Sequence, residues 1–213
     1  MRDAEAVSTT RLQRLIWLAL GLGLVAVAVA AGWRLRAGHE PPLPVYGTVP
    51  AFTLVDRSGK TVRAADLTRG PWIADFIFTR CGGMCPGLTA TLASVLRRMP
   101  PNVIAVSFTV DPERDDPATL QRYAEQFGAD PARWLFLTGD RPTIERVIRD
   151  GFRLSLAQVP PEERESSPEP ITHSDRFALV DGALRIRGYY HGQDPDATAK
   201  LVDDARRLAR DAS

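Results

Sequence analysis

The sequence predicts an α/β fold with a central β-sheet flanked by helices, preceded by one N-terminal transmembrane helix. Three observations carry this prediction. An apolar run without charge extends from Leu15 to Trp33. Beyond residue 45, short β-prone runs alternate with segments of helical period. The two cysteines of the chain, Cys81 and Cys85, fall where one such strand gives way to the next helix.

The 213 residues suit one substantial domain with an appendage better than two independent cores. The formal net charge is +1, and beyond residue 44 there remain 22 basic against 23 acidic side chains. A part so close to neutral gives no basis for a nucleic acid partner. Two cysteines four residues apart point to chemistry at one place rather than to a disulfide scaffold.

At ~1.5 Å per residue the run 15–33 spans about 28 Å, close to the hydrocarbon thickness of a bilayer. Trp17 and Trp33 lie near its ends, where aromatic rings favour the interface, and Arg14 and Arg34 bracket it. Ala28-Val29-Ala30 offers the competing reading of a cleaved signal peptide, but the run is longer than a usual signal core. The expected organisation is a short tail over 1–14, an anchor over 15–33, a proline-rich spacer over 34–44 and one domain over 45–213. Arg2, Arg11 and Arg14 outnumber Arg34 and Arg36, which favours the N-terminus inside and the domain outside.

In the domain, Ala51 to Val55 and Thr61 to Arg63 read as strands joined by a turn at Asp56-Arg57-Ser58-Gly59. Trp72 to Phe78 is apolar enough for a central strand. Leu88, Leu92, Val95 and Leu96 repeat at helical spacing, predicting a helix from Cys85 to Met99 that Pro100-Pro101 ends; Pro86 is tolerated in its first turn. Val103 to Val110 is a second apolar strand, Pro117 to Phe127 a helix, Trp134 to Leu137 a short strand and Thr143 to Arg149 a helix. Ser155 to Pro170 holds four prolines, four glutamates and three serines, and reads as a mobile loop. Strands then follow at Phe177 to Val180 and Leu184 to Tyr190 around the hairpin signal Asp181-Gly182, with a last helix from Pro195 to Leu208. A strand leading into a cysteine-bearing helix, βαβ alternation, and a closing hairpin and helix make the plan of a thioredoxin-like fold.

If the first turn after the strand is helical, the i, i+4 spacing brings both sulfurs to one face, where one ion can bridge them. Two thiolates suit a soft ion such as Cu(I), and the positive end of the following helix helps keep them ionised. The same spacing allows a disulfide, so metal binding and redox chemistry both stay open. Zinc is the rival metal, but a structural zinc site normally takes four protein ligands and the chain has two cysteines and three histidines to offer. Met84 adds a thioether between the cysteines, better explained by packing.

Phe78-Thr79-Arg80-Cys81-Gly82-Gly83-Met84-Cys85-Pro86 resembles the cysteine motif of the Sco/SenC family. Val110-Asp111-Pro112-Glu113-Arg114-Asp115-Asp116-Pro117 resembles its acidic turn, and Tyr123-Ala124, Phe127-Gly128, Trp134 and Leu137-Thr138-Gly139 follow in the family's order. Thr172-His173-Ser174-Asp175, ahead of a strand and Asp181-Gly182, is similar to its histidine motif. The resemblance covers roughly Val49 to Ala205. It implies that Cys81, Cys85 and His173 are ligands of copper, as Cu(I) or Cu(II). It also implies a chaperone that delivers copper to, or prepares the thiols of, the binuclear copper centre of a cytochrome c oxidase. The implied partners are the copper-bearing subunit of that oxidase and a periplasmic copper donor or thiol reductant. The implied location is the bacterial inner membrane, single-pass, with the domain on the periplasmic side. His39 and His191 are assigned no metal role.

Asp111 and Asp115 have two readings: carboxylates that orient a metal-bound histidine, or members of a turn in which Asp116 caps the helix at Pro117. Two departures from the family stand out. Gly82 occupies a position where many members carry proline, which loosens the loop. Asp75, six residues before Cys81 and on the face of Ile73 and Ile77, matches the position of an acid in thioredoxins. It supports an alternative function, a thiol-disulfide oxidoreductase in which Cys81 attacks, Cys85 resolves and Asp75 shuttles protons. Asp75 also has a plain reading, as a hydrogen-bonding group in a small polar pocket. A peroxide-reducing activity fits the closely spaced pair poorly.

Overall fold

The computed structural model describes residues 3–37, 41–81, 83–154, 156–158, 171–173 and 175–211. The chain divides into two compact units, Met1–Pro42 and Leu43–Ser213.

The first unit is one helix, α1, Asp3–Ala37, of 35 residues. Its described side chains from Gln13 to Val29 are all exposed, among them Leu15, Ile16, Trp17, Leu18, Leu22, Leu24 and Val25. Among the described residues no helix is long and apolar enough to cross a membrane. The expected span runs on to Trp33, and the side chains of Ala30, Gly32 and Trp33 lie outside the described residues, as does His39 of the spacer.

The second unit contains β1 (Gly47–Thr48), β2 (Thr53–Asp56), β3 (Thr61–Arg63), β4 (Trp72–Ile77), α2 (Met84–Arg97), β5 (Ile104–Thr109), α3 (Pro117–Gln126), β6 (Trp134–Thr138) and α4 (Arg141–Arg146). It continues with β7 (Leu156–Gln158), β8 (Ile171–His173), β9 (Arg176–Val180), β10 (Arg185–His191) and α5 (Pro195–Asp211). Eight strands form one mixed sheet in the order β1-β10-β9-β4-β5-β6-β2-β3, and β7 pairs with β8 separately. β4, β5 and β6 are parallel, and β9 runs antiparallel to β4.

Every residue of β4 is buried, as a strand covered on both faces requires. Its alternation sends Trp72, Ala74 and Phe76 into one core, with Phe108, Phe152 and Ile148. Ile73 and Ile77 enter the other, with Leu88, Leu92, Leu120, Tyr123, Leu201 and Val202 from α2, α3 and α5. Asp75, between those two isoleucines in the alternation, therefore faces the helical layer in which the cysteine helix lies.

Helix starts follow their caps. Asp116 accepts from the Thr119 N–H at 2.7 Å and caps α3, as its place before Pro117 predicts. Asp140 does the same for α4 through the Thr143 N–H at 2.9 Å, so that helix begins two residues before the expected Thr143. A π-helical turn over Val147–Gly151 then carries the chain on past the expected end at Arg149.

Two stretches differ from expectation. β7 falls inside the segment read as a loop, and the remainder of that segment, Ser155 and residues 159–170, lies outside the described residues. The β9–β10 connection turns at Asp181-Gly182 as expected, but the left-handed residue is Leu184, with φ 60°, rather than Gly182. Asp181 Oδ1 accepts from the N–H groups of Ala183 at 2.9 Å and Arg185 at 3.0 Å, so the aspartate side chain organises this turn.

The first residues of the second unit are held to the sheet. Arg187 Nε donates to the Pro44 carbonyl at 3.0 Å, and its Nη2 donates to that of Leu43.

Candidate metal centre

The cysteines lie where β4 emerges from the core and the chain turns into α2. Cys81 precedes the helix: its N–H donates to the Phe78 carbonyl at 3.3 Å, and Gly83 is the helix N-cap, without a side chain to satisfy the first amides. The sulfur fills that role. The Cys85 N–H donates to Cys81 Sγ at 3.4 Å. The two residues thus meet by a loop folding back over a helix N-terminus, not by sharing a helical face.

Both cysteines are buried thiols in this structure, not joined as a disulfide. Cys81 retains 8% exposure and Cys85 none, so Cys81 is the one an incoming group meets first. Burial, followed by hydrogen bonding to Cys81, pushes the Cys85 thiol above its ordinary range. The helix end therefore does not keep Cys85 ionised as expected, because burial outweighs it, and binding a cation there expels a proton.

The loop ahead of Cys81 is pinned from across the sheet. Asp115, fully buried, accepts from the Thr79 hydroxyl at 2.6 Å, the Thr79 N–H at 3.2 Å and the Thr109 hydroxyl at 2.5 Å. Burial raises its pKa, with the hydrogen bonds from Thr109 and Thr79 opposing. Asp111, equally enclosed, pairs with Arg114 at 3.3 Å and with Arg141 at 3.7 Å. Both acids of the turn therefore have protein partners, and Asp115 bears on the cysteines through Thr79.

Beneath the pair lies a polar layer. Thr89 donates to the Cys85 carbonyl at 2.9 Å, and its hydroxyl also meets the Tyr123 hydroxyl at 2.8 Å. Asp75 Oδ1 accepts from the Ser107 hydroxyl, which in turn accepts from Trp134 Nε1 at 2.8 Å. Asp75 Oδ2 is buried and has no hydrogen-bond partner among the described residues. Burial outweighs the Ser107 bond and pushes the Asp75 carboxyl up to about 7.

His173 ends β8 and is paired in register with Leu156 of β7. Its side chain, like that of Met84, lies outside the described residues, as does the whole of Gly82. Among the described residues no group of three His, Cys, Asp or Glu side chains could hold a metal ion. The described donors of the expected set, two soft sulfurs at a helix N-terminus, fit a soft cation.

Two contacts escaped the sequence. Arg133 Nη2 donates to the carbonyls of Pro100 at 2.9 Å, Val103 at 3.1 Å and Leu96 at 3.3 Å, closing the C-terminal end of the cysteine helix. His191 Nδ1 lies 3.1 Å from both carboxylate oxygens of Asp175, two residues beyond His173. Neither follows from spacing, because each joins separate elements.

The family model for SCO1/SenC matches residues 43–210. The mouse (Mus musculus) mitochondrial SCO2 homolog is 32% identical over 207 residues, covering 93% of this chain and 78% of its own length. The structure of Bradyrhizobium japonicum ScoI with copper bound aligns at TM-score 0.62 and 29% identity, over 76% of this chain and 99% of that one. BsSco, described as a member of the Sco family of cytochrome c oxidase assembly proteins with a disulfide switch, aligns at TM-score 0.68 and 28% identity, over 81% of this chain and 99% of its own.

Proposed function

The chain belongs to the SCO1/SenC family, and from that premise we propose that it is a membrane-anchored copper-binding protein that serves the assembly of a cytochrome c oxidase. Its cargo is copper, held by the sulfurs of Cys81 and Cys85 and the imidazole of His173, and its task is to deliver that copper to the oxidase or to prepare the thiols that receive it. The observation that carries the reading is the pair of adjoining thiols at the N-terminus of α2, linked by the Cys85 N–H to Cys81 Sγ bond. The copper carried by the Bradyrhizobium japonicum relative supports it.

The chemistry follows from the surroundings. Sulfur ligands match Cu(I) in softness, and an imidazole adds the harder nitrogen that Cu(II) takes. Cys81, slightly exposed, receives the ion first; Cys85 releases its proton as the second sulfur engages. Asp115 holds the loop through Thr79 so that the sulfurs need not be gathered from a disordered loop.

The apolar, exposed surface of α1 supports an anchor in the lipid bilayer, with the domain on the periplasmic side of a bacterial inner membrane. The partners in this reading are the copper-bearing oxidase subunit and a periplasmic copper donor or thiol reductant.

Asp75 favours a second reading, a thiol-disulfide oxidoreductase. A carboxyl whose pKa burial raises to about 7, with one oxygen lacking a partner among the described residues, is suited to take up a proton near neutrality. Cys81 would attack a partner disulfide, and Cys85 would resolve the mixed disulfide. The two electrons pass to the partner, which leaves as two thiols with the two protons the pair gives up, one of them relayed by Asp75.

Oxidase assembly in the host separates the readings. In a strain deleted for the chain, expression of the parent should restore oxidase activity, and Cys81→Ser, Cys85→Ser and His173→Ala should not. Full restoration by His173→Ala together with failure of Asp75→Asn would exchange the first reading for the second.

A further inference from the structure

We propose that His191 is a positioning residue of the metal centre: with Asp175 it forms a clasp that holds the histidine-bearing segment to the strand end packed on the cysteine helix. The proposal rests on the metal reading of His173.

His191 closes β10, opposite Arg176 of β9. Its Nδ1 lies 3.1 Å from Oδ1 and Oδ2 of Asp175. A carboxylate only accepts, so the ring donates from Nδ1 and the tautomer is fixed. The next residue adds a backbone bond, Gly192 N–H to the Asp175 carbonyl at 3.0 Å. Two consecutive residues of the strand end therefore grip the same aspartate, two positions beyond His173.

The same strand end also meets the other arm of the site. A Cβ on Gly192 would stand 2.5 Å from Leu88 Cδ2 and 2.9 Å from Phe177 Cζ. Leu88 lies three residues after Cys85, on the buried face of α2. The cysteine helix and the histidine segment are thus both referred to residues 191 and 192. β8 belongs to the small sheet with β7 and not to the main sheet. Among the described residues, the C-terminal end of β8 is held on one side by the pairing of His173 with Leu156, and on the other, where the chain joins the main sheet, by the contacts of Asp175 and the β9–β10 rung at Arg176. His191 itself is half-exposed, so its role is separable from the core.

The chemistry expected of such a residue is selective. Loosening the clasp releases the His173 segment from the main sheet while leaving its pairing with β7 and the two sulfurs in place, so Cu(II), which takes the imidazole, should suffer and Cu(I), held by the thiolates, should not.

The test uses the detergent-solubilised full chain, with Cu(II) and Cu(I) as probes, comparing the parent with His191→Ala, His191→Asn and His173→Ala. His191→Ala should raise the Cu(II) dissociation constant about tenfold and change the Cu(II) electron paramagnetic resonance spectrum, leaving Cu(I) affinity within about twofold. His191→Asn, whose amide can still donate to Asp175, should recover most of the loss. Unchanged Cu(II) binding in His191→Ala, equal loss of both copper states, or no recovery in His191→Asn would overturn the proposal while His173→Ala still weakens Cu(II). Should His173→Ala bind Cu(II) as the parent does, the metal reading itself is wrong and the clasp falls with it.

Discussion

Asp115 grips Thr79 twice, by its hydroxyl at 2.6 Å and its backbone N–H at 3.2 Å, two residues before Cys81. The carboxylate belongs to the turn after β5 and the threonine to the loop after β4, so neighbouring parallel strands are locked together at the end where the cysteines lie. The Thr109 hydroxyl completes the arrangement at 2.5 Å.

Removing that carboxylate leaves two hydroxyls and an amide without their acceptor in a buried place. Asp115→Ala should destabilise the domain by about 3 kcal/mol. Denaturant unfolding followed by tryptophan fluorescence measures this, and a loss below about 1 kcal/mol would mean that the loop is held by something else.

Asp75 should make stability depend on pH in an unusual direction. Its carboxyl rises from the ordinary 3.8 to about 7 on folding, so between those values the folded protein holds a proton that the unfolded chain has released. Stability therefore falls as pH rises through that window, by up to roughly 1.4 kcal/mol per pH unit from this one group. Asp75→Asn removes the titration. The difference in unfolding free energy between the variant and the parent should grow with pH from about 4 to about 7 and then level off; a difference constant over that range would contradict the burial argument.

Gly192 leaves no space for a side chain. Gly192→Ala drives a methyl group against Leu88 and Phe177, and should cost about 1–3 kcal/mol while displacing the first turns of α2. Thermal unfolding gives the cost, and amide exchange at residues 85–89 gives the displacement. A variant as stable as the parent, with unchanged exchange, would show that strand end and helix are not in contact.

The anchor reading has its own test. If α1 lies in a bilayer, the full chain should stay with the membrane pellet after alkaline carbonate extraction, and deletion of residues 1–37 should release it. Recovery of the full chain in the supernatant would remove the anchor from the account.

The sequence is most informative where function and local physics coincide. An all-apolar β4 broken by Asp75, two cysteines at its exit, and Asp116 before Pro117 each declare themselves within a few residues, and the structure places each as read. The condition for a shared helical face is not met: the helix begins at Met84, one residue before the expected Cys85, with Gly83 as its cap, so Cys81 stays outside it and a folded-back loop brings the two cysteines together. What stayed hidden depends on distant partners. Arg133 reaches carbonyls of residues 96–103 from the start of β6. Leu156 and His173 pair across a proline- and glutamate-rich stretch that carries no strand signal of its own. The Asp175–His191 clasp joins two positions whose proximity only the hairpin register creates.

The most direct test of the central claim is copper binding by the reduced full chain, titrated with Cu(I) against a chromophoric chelator and separately with Cu(II). One equivalent of Cu(I) that requires both Cys81 and Cys85, with Cu(II) binding that additionally requires His173, is the predicted result. Weak or non-stoichiometric binding of Cu(I), or binding that survives Cys81→Ser and Cys85→Ser together, would contradict it.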